Sequence, residues 1–288
     1  MESRKKEVRT ATVMTPEPAL RRPMILTRNM LRDLANSREL GLRLFYRDLK
    51  GLYRNSLLGY LWIFLPPLAT TLAFIYLNKQ QVIRVEELPI SYPAYAMLGT
   101  LLWQNFADAL QAPLRMVGQN RAMLIRVNFP REALILSGIY SVVFNFSARL
   151  ILVIPVIIYY QIPIGTSLLC FPLGVLALVV FGTALGVLLT PLGILYKDVE
   201  MGTTMALGFW MLLTPVVYAP MSNGLGAVIS KFNPVTPLLQ TSRDWLVGQP
   251  PSQLPEFYWI SGLTVVVLVF GWILYRLSLP HVIARIGN

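Results

Sequence analysis

Six stretches of the chain are apolar for long enough to cross a bilayer, at about 57–77, 92–112, 133–160, 168–196, 203–221 and 257–279. Roughly 30 Å of hydrocarbon takes about 20 helical residues, so each is predicted as a transmembrane helix. The first is free of charge but holds Pro66 and Pro67 near its middle, which predicts a kink or a broken hydrogen-bond ladder. The second is the weakest by hydropathy because it carries Gln104, Asn105 and Asp108, and the third contains Arg149. In the fourth, Gly182 and Gly186 form a small-xxx-small pair that permits close helix packing.

The segments between these runs have patterns of their own. Residues 1–37 are charged and broken by Pro16, Pro18 and Pro23, and are expected to form a cytoplasmic tail, disordered at its start. Over 38–56, Leu42, Phe45, Leu49 and Leu52 recur at helical spacing, with Arg43, Arg47, Lys50 and Arg54 as a basic stripe beside them. That pattern suits a helix lying in the membrane interface; an amphipathic helix packed on protein is the alternative. Residues 115–132 are too polar to span and too apolar for a plain linker, which predicts a short cytoplasmic helix ending near Asn128, with Pro130 opening span three. Such a helix suits a docking partner; a solvated loop anchored by four arginines reads equally well. Between spans five and six, residues 222–256 hold two apolar pieces too brief to cross, Leu225–Ile229 and Val235–Leu246, predicted as re-entrant helices. The expected fold is therefore an all-α integral membrane protein: an interfacial helix at 38–56, a six-span domain over 57–280 with re-entrant helices after span five, and a cytoplasmic tail at 281–288.

Composition sharpens this picture. The chain is 55% hydrophobic and only 14% charged, and its missing charge is concentrated in the long runs. Its net charge of +11 follows topology rather than nucleic acid: with both termini inside, 20 of the 25 Lys and Arg fall in cytoplasmic segments, as the positive-inside rule requires. No nucleic-acid recognition signature accompanies them. The first 20 residues lack the apolar core of a cleaved signal peptide, so the first span is expected to act as the targeting signal. Cys170 is the one cysteine and His281 the one histidine, which argues against disulfides, metal sites and Ser-His-Asp chemistry. The chain contains no Gly-Lys pair and so no P-loop; an ATP-driven process would need a second polypeptide.

The polar residues inside spans are the next candidates. A charge in the membrane is expensive and faces protein or a cavity, so Asp108 and Arg149 are expected either to pair or to leave Asp108 in water near the cytoplasmic end. Proton-coupled carriers usually show more intramembrane acids than this single aspartate. Aromatic residues cluster near span ends, among them Tyr60, Trp62, Trp103 and Tyr218. An interfacial belt accounts for such residues; a path for sugars, whose apolar faces suit aromatic rings, is the functional alternative.

Six ordered matches give the chain a resemblance: RDLKGLYRNSLLGYLWIFLPPL at 47–68, LLWQNFADAL at 101–110, NFPREAL at 128–134, YKDVE at 196–200, TPVVY at 214–218 and NPVTPLLQTSRDWL at 233–246. In these it resembles the permease subunits of type-2 ABC exporters of O-antigen, capsular or teichoic-acid polymers, over about residues 40–280. The resemblance implies a homodimeric channel in the bacterial cytoplasmic membrane with two ABC ATPase subunits below it, which carry the ATP and Mg; no cofactor is expected on this chain. It implies that the 115–129 helix couples to the ATPase through Arg121, Arg126, Asn128, Phe129, Pro130 and Arg131. Arg43, Arg47, Lys50 and Arg54 would line an entrance for the pyrophosphate of an undecaprenyl-type lipid-linked glycan, with anionic membrane lipid as the plainer counterpart of the same charges. The tail at 1–37 is longer than such permeases need, so nothing carries over there. Two other readings stay open: a type-2 exporter of a small molecule or lipid, and a membrane enzyme acting on polyprenyl-phosphate sugars, for which Asp48, Asp198 and Glu200 form no convincing pair or triad.

Overall fold

The computed structural model describes residues 23–54, 57–81, 88–127, 129–163, 165–220 and 224–287, and these contain helices, turns and no strand. Helices α1 (Pro23–Arg54), α2 (Leu65–Lys79), α3 (Tyr92–Gln119), α4 (Arg121–Arg126) and α5 (Glu132–Tyr159) make the first half. Helices α6 (Phe171–Leu195), α7 (Asp198–Leu213), α8 (Gly224–Phe232), α9 (Val235–Leu246) and α10 (Leu254–Gly287) make the second. Three segments are long and apolar enough to cross a membrane: Glu132–Tyr159, Thr166–Leu195 and Leu254–Pro280.

α3 is the axis of the packing, and its polar character follows from that position. It lies against α2, α5, α6, α7 and α9, so lipid need not solvate Asn105 or Thr100, both fully buried. Glycines set how closely its neighbours approach. A Cβ on Gly182 of α6 would stand 2.6 Å from the Phe106 carbonyl and 2.8 Å from Ala109 Cβ. Gly186, one turn on, meets the Leu110 carbonyl and Pro113, so the small-xxx-small pair is the seam between α6 and α3. The largest apolar cluster joins Trp103, Phe106 and Leu110 of α3 to Leu178 and Phe181 of α6 and Leu238 of α9.

Four local expectations are revised. Helix α1 begins at Pro23, not near 38, and a proline at a helix start costs nothing because its missing N–H has no partner there. Its face toward α5 is Met30, Ser37, Gly41 and Leu44. Leu42 of the predicted stripe points outward while Phe45 is buried. Span one is not one kinked helix. A 3-10 turn at Gly59–Ile63 precedes α2, and Pro66 and Pro67 occupy the first turn of α2, so they start a helix instead of breaking one. The predicted cytoplasmic helix at 115–129 is divided: 115–119 complete α3, Asn120 breaks the helix, and only Arg121–Arg126 form α4. Finally, 281–287 continue α10 through Pro280 rather than forming a separate tail. The tail at 1–22 and Asn128 lie outside the described residues, as do the side chains of Leu52, Arg54 and His281.

Candidate functional site

At the end of α3, Asn120 donates from Nδ2 to the Met116 carbonyl at 2.8 Å and so caps α3 from within. Its Oδ1 accepts from Arg47 Nη2 of α1 at 2.7 Å, and Arg47 also donates to Asp48 at 2.7 Å. The corner between α3 and α4 is thereby tied to α1 by a charge-assisted bond. Beyond that corner α4 is held down by buried Leu124 and half-buried Met123, while Ala122, Ile125, Arg126 and Val127 are exposed. Arg121, Phe129, Pro130 and Arg131 are half-buried around it. The described coupling candidates thus form one short, mixed basic and apolar projection at the end of two long helices.

The basic stripe of α1 is less free than its spacing suggests. Arg43 pairs with Glu39 at 2.5 Å, one helical turn away, and Arg47 is engaged as above, leaving Lys50 exposed. On the opposite side of the same end, Arg276 of α10 joins three helices. It donates to Asp33 of α1 and, at 3.2 Å, to Glu132 of α5, while the neighbouring Tyr275 hydroxyl donates to the Arg131 carbonyl at 3.3 Å.

Within the bundle, Arg149 and Asp108 pair at 2.7 Å, with the guanidinium 6% exposed. Arg149 Nε donates at 3.1 Å to the carbonyl of Ile63, the last residue of the 3-10 turn that carries Tyr60 and Trp62. One guanidinium therefore fixes α5 to α3 and to the approach of α2. Of the aromatic candidates, Tyr60 and Trp62 are more than half exposed, and Tyr218 is half-buried with its hydroxyl donating to the Leu212 carbonyl at 2.8 Å. Trp103 is 2% exposed and packs edge-on against Trp210 at 6.3 Å between centroids, so its ring borders no open surface of this protomer.

At the other end of the bundle the structure shows a junction that the sequence patterns left unassigned. Arg243 of α9 is 2% exposed, stands 3.8 Å over the ring of Tyr95 in α3, and donates to the carbonyls of Val216 at 2.7 Å and Pro215 at 3.2 Å. Nearby, Asn233 accepts from Trp210 Nε1 at 3.0 Å and donates to Thr214 at 2.8 Å. These bonds fasten the turn after α7 to α3 and α9, satisfying carbonyls that no helix ladder reaches. The signal in sequence was the Arg243–Asp244 pair interrupting a partly apolar segment. After α9, Ser252 donates twice to Asp244 at 2.9 Å; burial pushes that carboxyl up, and these bonds and Arg243 oppose the shift. Among the described residues no group of three His, Cys, Asp or Glu side chains comes together to hold a metal.

The chain is similar to the O-antigen export system permease protein RfbA of Myxococcus xanthus, 28% identical over 248 residues that cover 84% of this chain and 92% of that protein. Two Klebsiella pneumoniae proteins of the same name are 26% and 25% identical over 238 residues, 81% of this chain and 91% of each. The chain is a relative of the O-antigen export permeases. The resemblance drawn from six short motifs is thus borne out across nearly the whole length of these relatives. No family model matches the chain. Coverage of this extent takes in most of the helical bundle, so the likeness is not confined to an isolated segment.

Proposed function

We propose that this chain is the membrane-spanning permease subunit of an ATP-driven exporter that moves a lipid-linked polysaccharide outward across the bacterial cytoplasmic membrane. The observation that carries the reading is similarity to three O-antigen export permeases over at least 81% of the chain. The geometry of α4 supports it. A short projection at the end of α3, anchored by Leu124 and Met123 and roped to α1 by Arg47 and Asn120, suits a second protein that pushes on it.

In this reading all six apolar runs cross the membrane, both termini are cytoplasmic, and α8 and α9 re-enter from the outer side. ATP and Mg2+ bind a partner ATPase, two copies of which sit beneath two copies of this chain. ATP-driven closure of the partner moves α4 and, through the Asn120 corner, tilts α3 and α5 together, because Arg149 and Asp108 bind them to each other and to the turn bearing Tyr60 and Trp62. Those two exposed aromatics then flank the path of the sugar. Exposed Lys50 offers charge to the pyrophosphate of an undecaprenyl-type carrier, and Arg43 and Arg47 do so only by leaving their present partners.

The second copy faces α7. Its exposed surface includes Gly202, Thr204 and Gly208, small residues that favour helix contact over lipid. The test is complementation. In a strain deleted for this chain, lipid-linked polymer should accumulate inside, and the chain with its ATPase should return it to the surface. Accumulation that persists although both proteins are made would overturn the polysaccharide reading in favour of a small-molecule or lipid exporter.

A further inference from the structure

Helix α5 packs on α1 and α3, whereas α10 packs on α6, so a groove is left between the two pairs on the side away from α7. It holds about 290 Å³, and its walls are almost wholly apolar: Ile135 and Ile139 of α5, Leu176 and Val180 of α6, Leu268 and Trp272 of α10. From Leu176 to Val187 the groove follows twelve residues of α6, about 16 Å at the helical rise. That is close to half of the roughly 30 Å hydrocarbon core, the depth of one leaflet.

Two observations distinguish this groove from ordinary lipid-facing surface. Thr183, 4% exposed, and Trp272 both line it, and among the described residues neither Thr183 Oγ1 nor Trp272 Nε1 has a hydrogen-bond partner. A buried donor left unsatisfied is costly, so the two atoms mark polar spots in an otherwise apolar wall. The other observation is the end of the groove. Glu132 lines it and also lines a polar cleft of about 510 Å³ with Asp33, Arg131, Tyr275 and Arg276. Apolar chamber and charged mouth are therefore continuous at one residue, and the mouth carries two cations and two carboxylates.

We infer that this groove is a binding site for one zwitterionic, phosphatidylethanolamine-type phospholipid of the inner leaflet, separate from the proposed export path. One acyl chain fills the groove between α5, α6 and α10. The phosphate faces Arg131, whose side chain is half-buried in the cleft, and the ammonium faces Asp33 and Glu132. Trp272 Nε1 donates to an ester carbonyl. Charge balance selects the headgroup: Asp33 and Glu132, both paired to Arg276, together with Arg131 make a mouth of zero net charge, which a zwitterion leaves neutral and an anionic lipid does not. The lipid reinforces the tie that Arg276 makes across the mouth from α10 to α1 and α5.

The test needs no export assay, so its failure leaves the exporter reading standing. The full chain, reconstituted in vesicles of phosphatidylethanolamine and phosphatidylglycerol at equal amounts, is re-extracted in mild detergent and weighed by native mass spectrometry. The expected result is retention of phosphatidylethanolamine over phosphatidylglycerol, with retention falling at least about tenfold in Val180→Trp, which fills the groove and excludes several methylenes. Arg131→Glu leaves the groove intact and inverts one charge of the mouth; it is expected to lower phosphatidylethanolamine retention while the protein elutes unchanged. Equal retention of both lipids, or undiminished phosphatidylethanolamine in either variant, overturns the assignment.

Discussion

Helices α3 and α7 are neighbours in the bundle with opposite surroundings. Twenty of the 28 residues of α3 are buried, among them polar ones, whereas α7 buries Leu207 alone among its 16. The exposed face of α10 offers a third reference: apart from Gly262 it is made largely of branched and aromatic groups suited to lipid chains, among them Leu263, Val265, Val266, Val269 and Phe270. The face of α7 mixes Met201, Met205 and Phe209 with Gly202, Thr204 and Gly208. One protomer therefore completes the surroundings of α3 but not those of α7. In the proposed mechanism the finished helix is the lever, and the unfinished one is the surface assigned to a second copy.

The contrast can be broken most severely at the end of α3. Replacing Arg121–Arg126 by a glycine-serine segment of equal length should reduce export to background while membrane insertion and protein level persist, as measured by surface polymer and immunoblot. Within α3, Asp108→Leu leaves the Arg149 guanidinium buried without its carboxylate and should cost about 3 kcal/mol of stability in detergent unfolding. The double variant Asp108→Leu with Arg149→Met should recover most of that loss, because replacing a buried pair by apolar groups is far milder than halving it. Gly182→Leu forces α6 off the Phe106 carbonyl and should cost about 1–3 kcal/mol by the same measurement. The smallest effect on the protomer belongs to α7. Gly208→Leu meets no atom within 4 Å and should change protomer stability by less than about 0.5 kcal/mol, yet it should reduce cross-linking between copies. A large loss of protomer stability in Gly208→Leu would mean that α7 is held from within.

The long apolar runs were legible because membrane solvent imposes a local requirement: α5 and α6 begin and end within three residues of the predicted bounds, whereas α3 runs on to 119, α7 is shifted to 198–213 and α10 continues past 279. What depended on distant partners was not legible. The pairing of Asp108 with Arg149 was one of two alternatives until α3 and α5 could be placed side by side. Arg276 counted only as a topological charge, although it binds Asp33, 243 residues earlier in sequence. Trp103 fitted an aromatic end-of-span pattern, but packing against Trp210 and Phe106 decides its burial. Of the apolar stripe read on α1, Phe45 is buried against Tyr140 and Phe144 of α5, whereas Leu42 points outward and Ser37, Gly41 and Leu44 are buried instead, a distinction that only contact with α5 makes. Pro66 and Pro67 misled for a local reason: the same residue breaks a helix in its interior and opens one at its start.

The central claim is that this chain works as a permease driven by a separate ATPase, and purification of the native complex tests it most directly. The chain, extracted in mild detergent from its own membrane and weighed intact, is predicted to bring with it a P-loop ATPase in a complex of two copies of each, with ATP hydrolysis that the α4 replacement uncouples. A chain that purifies without any nucleotide-binding partner, under conditions where its export activity is retained, would contradict the account.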